Sequence, residues 1–321
     1  MRVVAYHYVR DVAPGVKPQL KAVGRQAFRE QVRYLKRTGR IITAAELIDI
    51  IGRDAETGKN DTLLTFDDGY LDHWENVLPI LEQEQVTGLF FVSTRAVWER
   101  KITETNKIQL VLGQGIETHK IIAALDELVD ERRSKYELLD KNVYWHKFAQ
   151  AGRFDNADVK YIKNMLQFAL PEQVRGEIVD LIFEQYVGQS EREVADRLYM
   201  TPKQVKELGE AGMAVGNHGY NHRWLDKLRV EQQRREIEHA QQQLVQVGVS
   251  KTCWTMCYPY GAYNQDTITL LKAMGCAAAF TTKGGEAMNS LAATRYEINR
   301  LDTNEIWQEM KMAPPVAARQ F

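Results

Sequence analysis

An α/β architecture with a parallel sheet or barrel is what this sequence predicts, from three observations. Short apolar, strand-like runs alternate with amphipathic helical segments over the first hundred residues and again from Thr201 onward, the order expected of βα units. Polar and titratable residues gather at the C-terminal ends of the predicted strands, which form one face of a parallel barrel. The alternation breaks once, between about Glu99 and Leu198, in a charged stretch with helical spacings and almost no strand signal.

Composition sets the bounds. A chain of 321 residues can form one large domain or two ordinary ones and bury a substantial core. With 44% apolar and 26% charged residues it reads as a soluble globular protein. A net charge of −1 and a pI near 6.7 create no field that favours nucleic acid or an anionic membrane. The apolar runs are far shorter than a membrane span. The N-terminus, Met1 to Val9, enters a strand-like pattern without the apolar core and cleavage site of a signal peptide. The three cysteines, Cys253, Cys257 and Cys276, lack CxxC spacing and suit a reducing compartment. Cys253 and Cys257 point the same way on a predicted strand and read as core residues. A cytoplasmic location is the expectation.

Each element has a local reason. After the first strand and a loop with Pro14, Gly15 and Pro18, Phe28, Val32 and Leu35 recur at helical spacing up to Gly39. Ile41-Ile42 is a short strand, and Thr43 with Glu46 forms a capping box for the helix carrying Leu47, Ile48 and Ile51. The run Asp61 to Phe66 is a buried strand, followed by a helix through Trp74, Val77 and Leu81 that Pro79 should distort. Gly88 to Val92 is the next buried strand. In the break, Leu125/Leu128/Val129 and Ile178/Leu181/Ile182 mark a helical insertion within a single catalytic domain spanning 1–321. It is large enough to wall one side of a cleft or to form an oligomer contact. His119 and His146 stand alone in it and read as surface or packing residues.

From Thr201, whose Pro202 and Gln204 complete a helix start, the alternation resumes. A helix to Gly212 leads to a strand at Met213–Gly216, then a helix over about 231–247 and a strand over Thr252–Cys257. Another helix (Asn264–Met274) and a strand (Cys276–Thr281) follow. A last strand, Tyr296 to Arg300, precedes a closing helix from Asp302-Thr303, and the tail Pro314-Pro315-Val316-Ala317-Ala318 should fray.

Chemistry concentrates at the strand ends. Asp67 and Asp68 end a buried strand just before Gly69, so one carboxylate can bind a cation while its neighbour stays free to take a proton; a plain turn is the alternative. His218 and His222 are four apart and can reach one ion if their loop makes a helix-like turn. Together with Asp68 they give a zinc ion three protein ligands and an open position, the catalytic arrangement. Such an ion acidifies water and polarises a carbonyl, and Asp67 would be the base. His7, Tyr258, Tyr260 and Arg300 fall at strand ends on the same face.

Thr65-Phe66-Asp67-Asp68-Gly69-Tyr70, His218-Gly219-Tyr220-Asn221-His222 and Tyr258-Pro259-Tyr260-Gly261, in that order, are similar to motifs of the polysaccharide deacetylases of carbohydrate esterase family 4. The resemblance covers nearly the whole chain outside the insertion. It implies a distorted (β/α)7 barrel that removes acetyl groups from amino-sugar polymers with one metal ion, here most simply Zn2+. It further implies Asp67 as base, Asp68, His218 and His222 as metal ligands, and the backbone N–H of Tyr260 as oxyanion donor. Tyr70, Tyr258 and Tyr260 would line the substrate site. Two departures stand out. The arginine usual before the Pro-Tyr is replaced by Met256, Cys257 and Tyr258, so Arg300 becomes the candidate to orient the base, a surface or salt-bridging role being its alternative. No leucine-x-histidine motif supplies the acid near the C-terminus. His7, after the first strand, resembles instead the position used in the circularly permuted branch that includes poly-N-acetylglucosamine deacetylases. A proton donor should approach from the side opposite Asp67, with His73 as the near rival of His7.

The expected function is therefore metal-dependent removal of an N-acetyl group from an amino sugar in a glycan or glycan precursor. A deformylase or other amide hydrolase on the same fold, or a non-catalytic sugar-binding relative, are the alternatives. The presence of base, three ligands and candidate acid weighs against the binder.

Overall fold

Every strand pairing among the described residues (1–152, 155–286 and 291–312 of the computed structural model) is parallel. The first elements are β1 (Arg2–Tyr6), α1 (Arg25–Thr38), β2 (Arg40–Ile41), α2 (Ala44–Gly52) and β3 (Asp61–Phe66). A π-helical turn at His73–Val77 runs into α3 (Leu78–Gln83), followed by β4 (Leu89–Val92) and α4 (Thr94–Trp98). Six helices come next: α5 (Glu104–Gly113), α6 (Thr118–Tyr136), α7 (Lys141–Phe148), α8 (Ala157–Asn164), α9 (Glu172–Val187) and α10 (Glu191–Leu198). Alternation returns with α11 (Pro202–Glu210), β5 (Ala214–Asn217), α12 (Val230–Gln246), β6 (Trp254–Cys257), α13 (Gln265–Ala273) and β7 (Cys276–Phe280). The chain closes with β8 (Leu301–Asp302) and α14 (Thr303–Met312). Both expected capping boxes form, at Thr43/Glu46 and Thr201/Gln204. The distortion expected at Pro79 is the π-helical turn immediately before it. The fraying expected at Pro314–Ala318 lies outside the described residues.

The strand order is β7-β6-β5-β4-β3-β1-β8. One edge of β3 is shared, with β2 pairing Asp61 and Thr62 and β4 pairing Thr65 and Phe66. Closure falls to residues 298–302. Ile298 bridges Phe280 of β7, and three residues later Leu301, with Asp302, pairs with Val4 and Ala5 of β1. The result is a distorted (β/α)7 barrel. It also corrects the predicted last strand at Tyr296–Arg300. That segment crosses from one neighbour to the other, so its hydrogen bonds go to β7 at Ile298 and to β1 only from Leu301, and a regular five-residue strand cannot form.

Side-chain alternation along the strands decides what faces the barrel axis. Val3, Leu63, Phe91, Cys257, Ala278, Phe280 and Ile298 share one buried cluster. Trp254, Met256 and Tyr258 of the opposite parity pack with Leu225, Ile237 and Leu271 in another. Cys253 is exposed, since β6 begins only at Trp254, so the expectation that it is a core residue is not met.

The chain divides into two compact units. One comprises residues 1–11, 22–100 and 198–321 and holds every strand; the other comprises 12–21 and 101–197. The helical unit has its own core, in which Leu125 and Val129 of α6 and Ile178 and Ile182 of α9 are buried. Its extra segment, 12–21, is tied in where the Gln19 N–H donates to the Gly113 carbonyl at 2.7 Å. Pro18 also lies so close to Gly113 that a Cβ there would come within 2.9 Å. This early loop carries no helical signal, so nothing in its pattern ties it to α5–α10. His119 and His146 are exposed. No helix among the described residues is long and apolar enough to cross a membrane.

Candidate active site

The strands end level, and this is what assembles the site. Tyr6 pairs with Phe66, Val92 with Asn217, Asn217 with Met256, and Cys257 with Phe280. His7, Asp67 and His218 are therefore the first residues beyond their strands. The parity that puts Val3 and Leu63 inside the barrel also turns His7 and Asp67 inward.

Asp67 is buried and meets Arg300 in a bidentate pair, Nη1 to Oδ1 at 2.8 Å and Nη2 to Oδ2 at 2.7 Å. Arg300 is itself buried and anchored, donating through Nε to the Thr281 carbonyl at 2.9 Å and through Nη1 to Thr65 Oγ1 at 3.2 Å. A planar guanidinium satisfies both carboxylate oxygens at once, which a lysine could not do. Burial alone would push the Asp67 carboxyl up, but the Arg300 charge with that of His218 outweighs it and holds the group well below the ordinary range. Cys257 Sγ lies 3.6 Å from Asp67 Oδ2.

Asp68 departs from strand parity because its backbone is left-handed, with φ +77°, and Gly69 follows at +74°. His222 and Tyr260 also have positive φ, +53° and +59°. Of the seven non-glycine residues described in that region, three are thus candidate site residues, the clustering expected where function overrides backbone preference. The Nε2 atoms of His218 and His222 each lie 3.4 Å from Asp68 Oδ1. Ligands about 2.0–2.1 Å from a tetrahedral zinc stand about 3.3–3.4 Å apart; both Asp68–imidazole distances have that length, and the three ligand atoms all lie within 4.8 Å of one another. The His218 Nδ1 faces the Cys257 carbonyl at 2.8 Å. A carbonyl can only accept, so Nδ1 carries a proton and Nε2 is the nitrogen turned toward Asp68, the outer-shell arrangement of a metal-bound histidine. Burial pushes the His222 imidazole down to about 4 against the pull of Asp68, leaving it in the neutral, ligating form. Asp68, His218 and His222 can hold a metal ion.

The other predicted residues fall unevenly. His7 is 54% exposed and its Nε2 stands 3.7 Å from Asp67 Oδ2. It is therefore beside the base rather than opposite it, because β1 pairs directly with β3. His73 is fully buried, with Nε2 against the His7 carbonyl at 2.9 Å, which removes it as a rival donor to substrate. Tyr260 packs edge-on against His222, ring centroids 4.7 Å apart. Tyr70 and Tyr258, expected to line the substrate site, are both fully buried. Tyr258 has outward parity and its hydroxyl donates to the Tyr296 carbonyl at 3.0 Å. Tyr70 is stacked between Tyr8 and Tyr199. Two neighbours of the site carry no site role in the sequence, where Cys257 reads only as a core residue. Strand alternation is the signal that could find Cys257, since it has the parity opposite to Trp254, Met256 and Tyr258. Trp224, stacked on Tyr260 at 4.3 Å, had only its closeness to His222 in sequence to recommend it.

A family model described as polysaccharide deacetylase matches residues 54–121 and 178–279, just over half of the chain. The chain belongs to the polysaccharide deacetylase family. Solved structures with the same fold include a deacetylase, PplD, of Streptococcus pyogenes in complex with acetate, at 17% identity and a TM-score of 0.57, covering 98% of both chains. IcaB from Ammonifex degensii is similar at 19% identity and a TM-score of 0.55, covering 97% of this chain and 95% of its own. A de-N-acetylase from Aggregatibacter actinomycetemcomitans follows at 12% identity and 0.53, covering 94% and 93%. No curated protein sequence matches the chain. The family match includes Asp67 and Asp68, His218 and His222, and the Tyr258–Gly261 segment, and it leaves out His7 and Arg300. Those two are supported by their positions alone.

Proposed function

We propose that this polysaccharide deacetylase family member is a zinc-dependent hydrolase that removes the N-acetyl group from an amino sugar in a glycan or glycan precursor. The observation that carries the reading is the division of labour between adjacent carboxylates: Asp68 faces two imidazoles at 3.4 Å, whereas both oxygens of Asp67 are bonded by the Arg300 guanidinium. When bound by Asp68, His218 and His222, zinc supplies a Lewis acid that acidifies water and polarises the acyl carbonyl. Asp67, held ionised and fixed in orientation by Arg300, accepts the proton of the attacking water. The N–H of Tyr260 stabilises negative charge on the acyl oxygen. Breakdown then requires a proton on the sugar nitrogen, because an amide anion is too basic to leave. His7, half-exposed and adjacent to Asp67, gives that proton.

The test is acetate release from nucleotide-linked, lipid-linked and polymeric N-acetylated sugars, with the protein metal-stripped and then reloaded with zinc. Turnover should vanish on stripping and return with about one zinc per chain. Activity indifferent to stripping removes the metal from the reaction, and release of formate but not acetate transfers it to a deformylase.

A further inference from the structure

The loop carrying His7 is held by residues that follow the two aspartates. The His7 imidazole is more than half exposed and stands beyond hydrogen-bond reach of Asp67, so its side chain does little to fix its own place. Its backbone is fixed instead. His73 Nε2 bonds the His7 carbonyl at 2.9 Å, the Val9 N–H donates to Asp72 Oδ2 at 3.0 Å, and Asn76 Nδ2 donates to the Val9 carbonyl at 2.8 Å. Asp72, buried, also pairs with the Arg10 guanidinium at 2.6 and 2.8 Å. All three clamping side chains lie in or directly before the π-helical turn His73–Val77, and such turns recur at functional sites.

His73 is the informative member. It is fully buried against the rings of Phe66, Tyr70 and Phe90. Its Nε2 must carry the proton, since the carbonyl it meets only accepts. Its other nitrogen, Nδ1, is buried with no hydrogen-bond partner among the described residues. An aromatic hydrocarbon would fill this space without the cost of desolvating an imidazole. What the imidazole adds is one donor aimed at the backbone of His7.

We propose that His73, with Asp72 and Asn76, is a positioning residue that sets the His7 imidazole against Asp67; the inference rests on the reading of His7 as proton donor. A displacement of about 1 Å can cost about 100-fold in rate. The loss should fall on substrates that need the proton.

Three variants are compared with wild type on an N-acetyl sugar and on 4-nitrophenyl acetate, whose leaving group departs without protonation. His73→Phe should keep its metal and lose about 10- to 100-fold in kcat on the amide, with KM and ester turnover within about 3-fold. His73→Gln, whose amide nitrogen sits at a similar reach, should recover most of the loss. His7→Ala should show the same selectivity, larger. Equal losses on both substrates in His73→Phe, or an amide kcat within 2-fold of wild type, would overturn the positioning role while a selective His7→Ala leaves the donor assignment standing. An unselective His7→Ala would overturn the donor and the inference with it. Should His73→Phe not fold, Asn76→Leu reads the same loop through the Val9 carbonyl, with the same selective loss expected and an equal loss on both substrates overturning the proposal.

Discussion

The metal half of the site and the proton-transfer half are built by opposite means. Asp68, His218 and His222 come from two short loops, and two of the three depend on left-handed backbone within those loops. Asp67 is governed from far away: Arg300 is 233 residues downstream and Cys257 is 190. Arg300 moreover lies in the segment that passes from β7 to β1 and closes the barrel. The difference teaches where each half is vulnerable. The metal half depends on local turns, so its failure should be chemical and leave the fold standing. The base half is also a structural tie, so its failure should be felt in both activity and stability.

The largest effect expected is at His222. His222→Ala removes one of three ligands and should abolish both zinc binding and turnover, with the melting temperature close to that of metal-stripped wild type. Full zinc occupancy in His222→Ala, measured by metal analysis, would break the local half of the comparison.

Next is Asp67. Asp67→Asn should leave zinc bound while kcat falls by roughly 10²–10⁴, the usual worth of a general base. Loss of zinc instead would make Asp67 a ligand and merge the two halves. Arg300→Met sharpens the point through stability. It strands a buried carboxylate, which should cost about 3–5 kcal/mol in denaturant unfolding. Asp67→Asn/Arg300→Met should be less destabilised than the sum of the single variants, the signature of two groups that interact directly. Additive losses would mean that Arg300 serves closure and not the base.

The same contrast explains what the sequence made legible. Asp67-Asp68-Gly69 and the His218/His222 pair are local patterns, and the alternation of strands and helices placed both at one end of a barrel. Arg300 could be named a candidate only from its strand-end position and the lack of an arginine near Pro259. Its bidentate pairing needs the closing segment, whose irregular course no periodicity announces. The exchange of residues 12–21 into the helical unit is hidden for a similar reason: a short proline loop has no pattern that points to a partner 90 residues away. The tyrosines erred differently. The motifs direct Tyr70 and Tyr258 to substrate, whereas the period-two alternation of β6 turns Tyr258 away from Cys257 and out of the barrel.

Tyr258 offers the smallest effect and a sharp one. In the structure its hydroxyl donates to the Tyr296 carbonyl at 3.0 Å, and its ring stacks on Tyr263 with centroids 4.6 Å apart, on the helix side of the sheet. Tyr258→Phe keeps the ring and deletes the donor. The cost should be about 0.5–1.5 kcal/mol of stability for the lost hydrogen bond, somewhat more if the Tyr296 carbonyl finds no other donor. Because the ring still supports the turn at Pro259–Gly261, kcat and KM on an N-acetyl sugar should stay within about 2-fold, a change of less than about 0.5 kcal/mol. A several-fold rise in KM with unchanged stability would place the hydroxyl against substrate, and the outward parity of β6 would then fail at the residue that follows it.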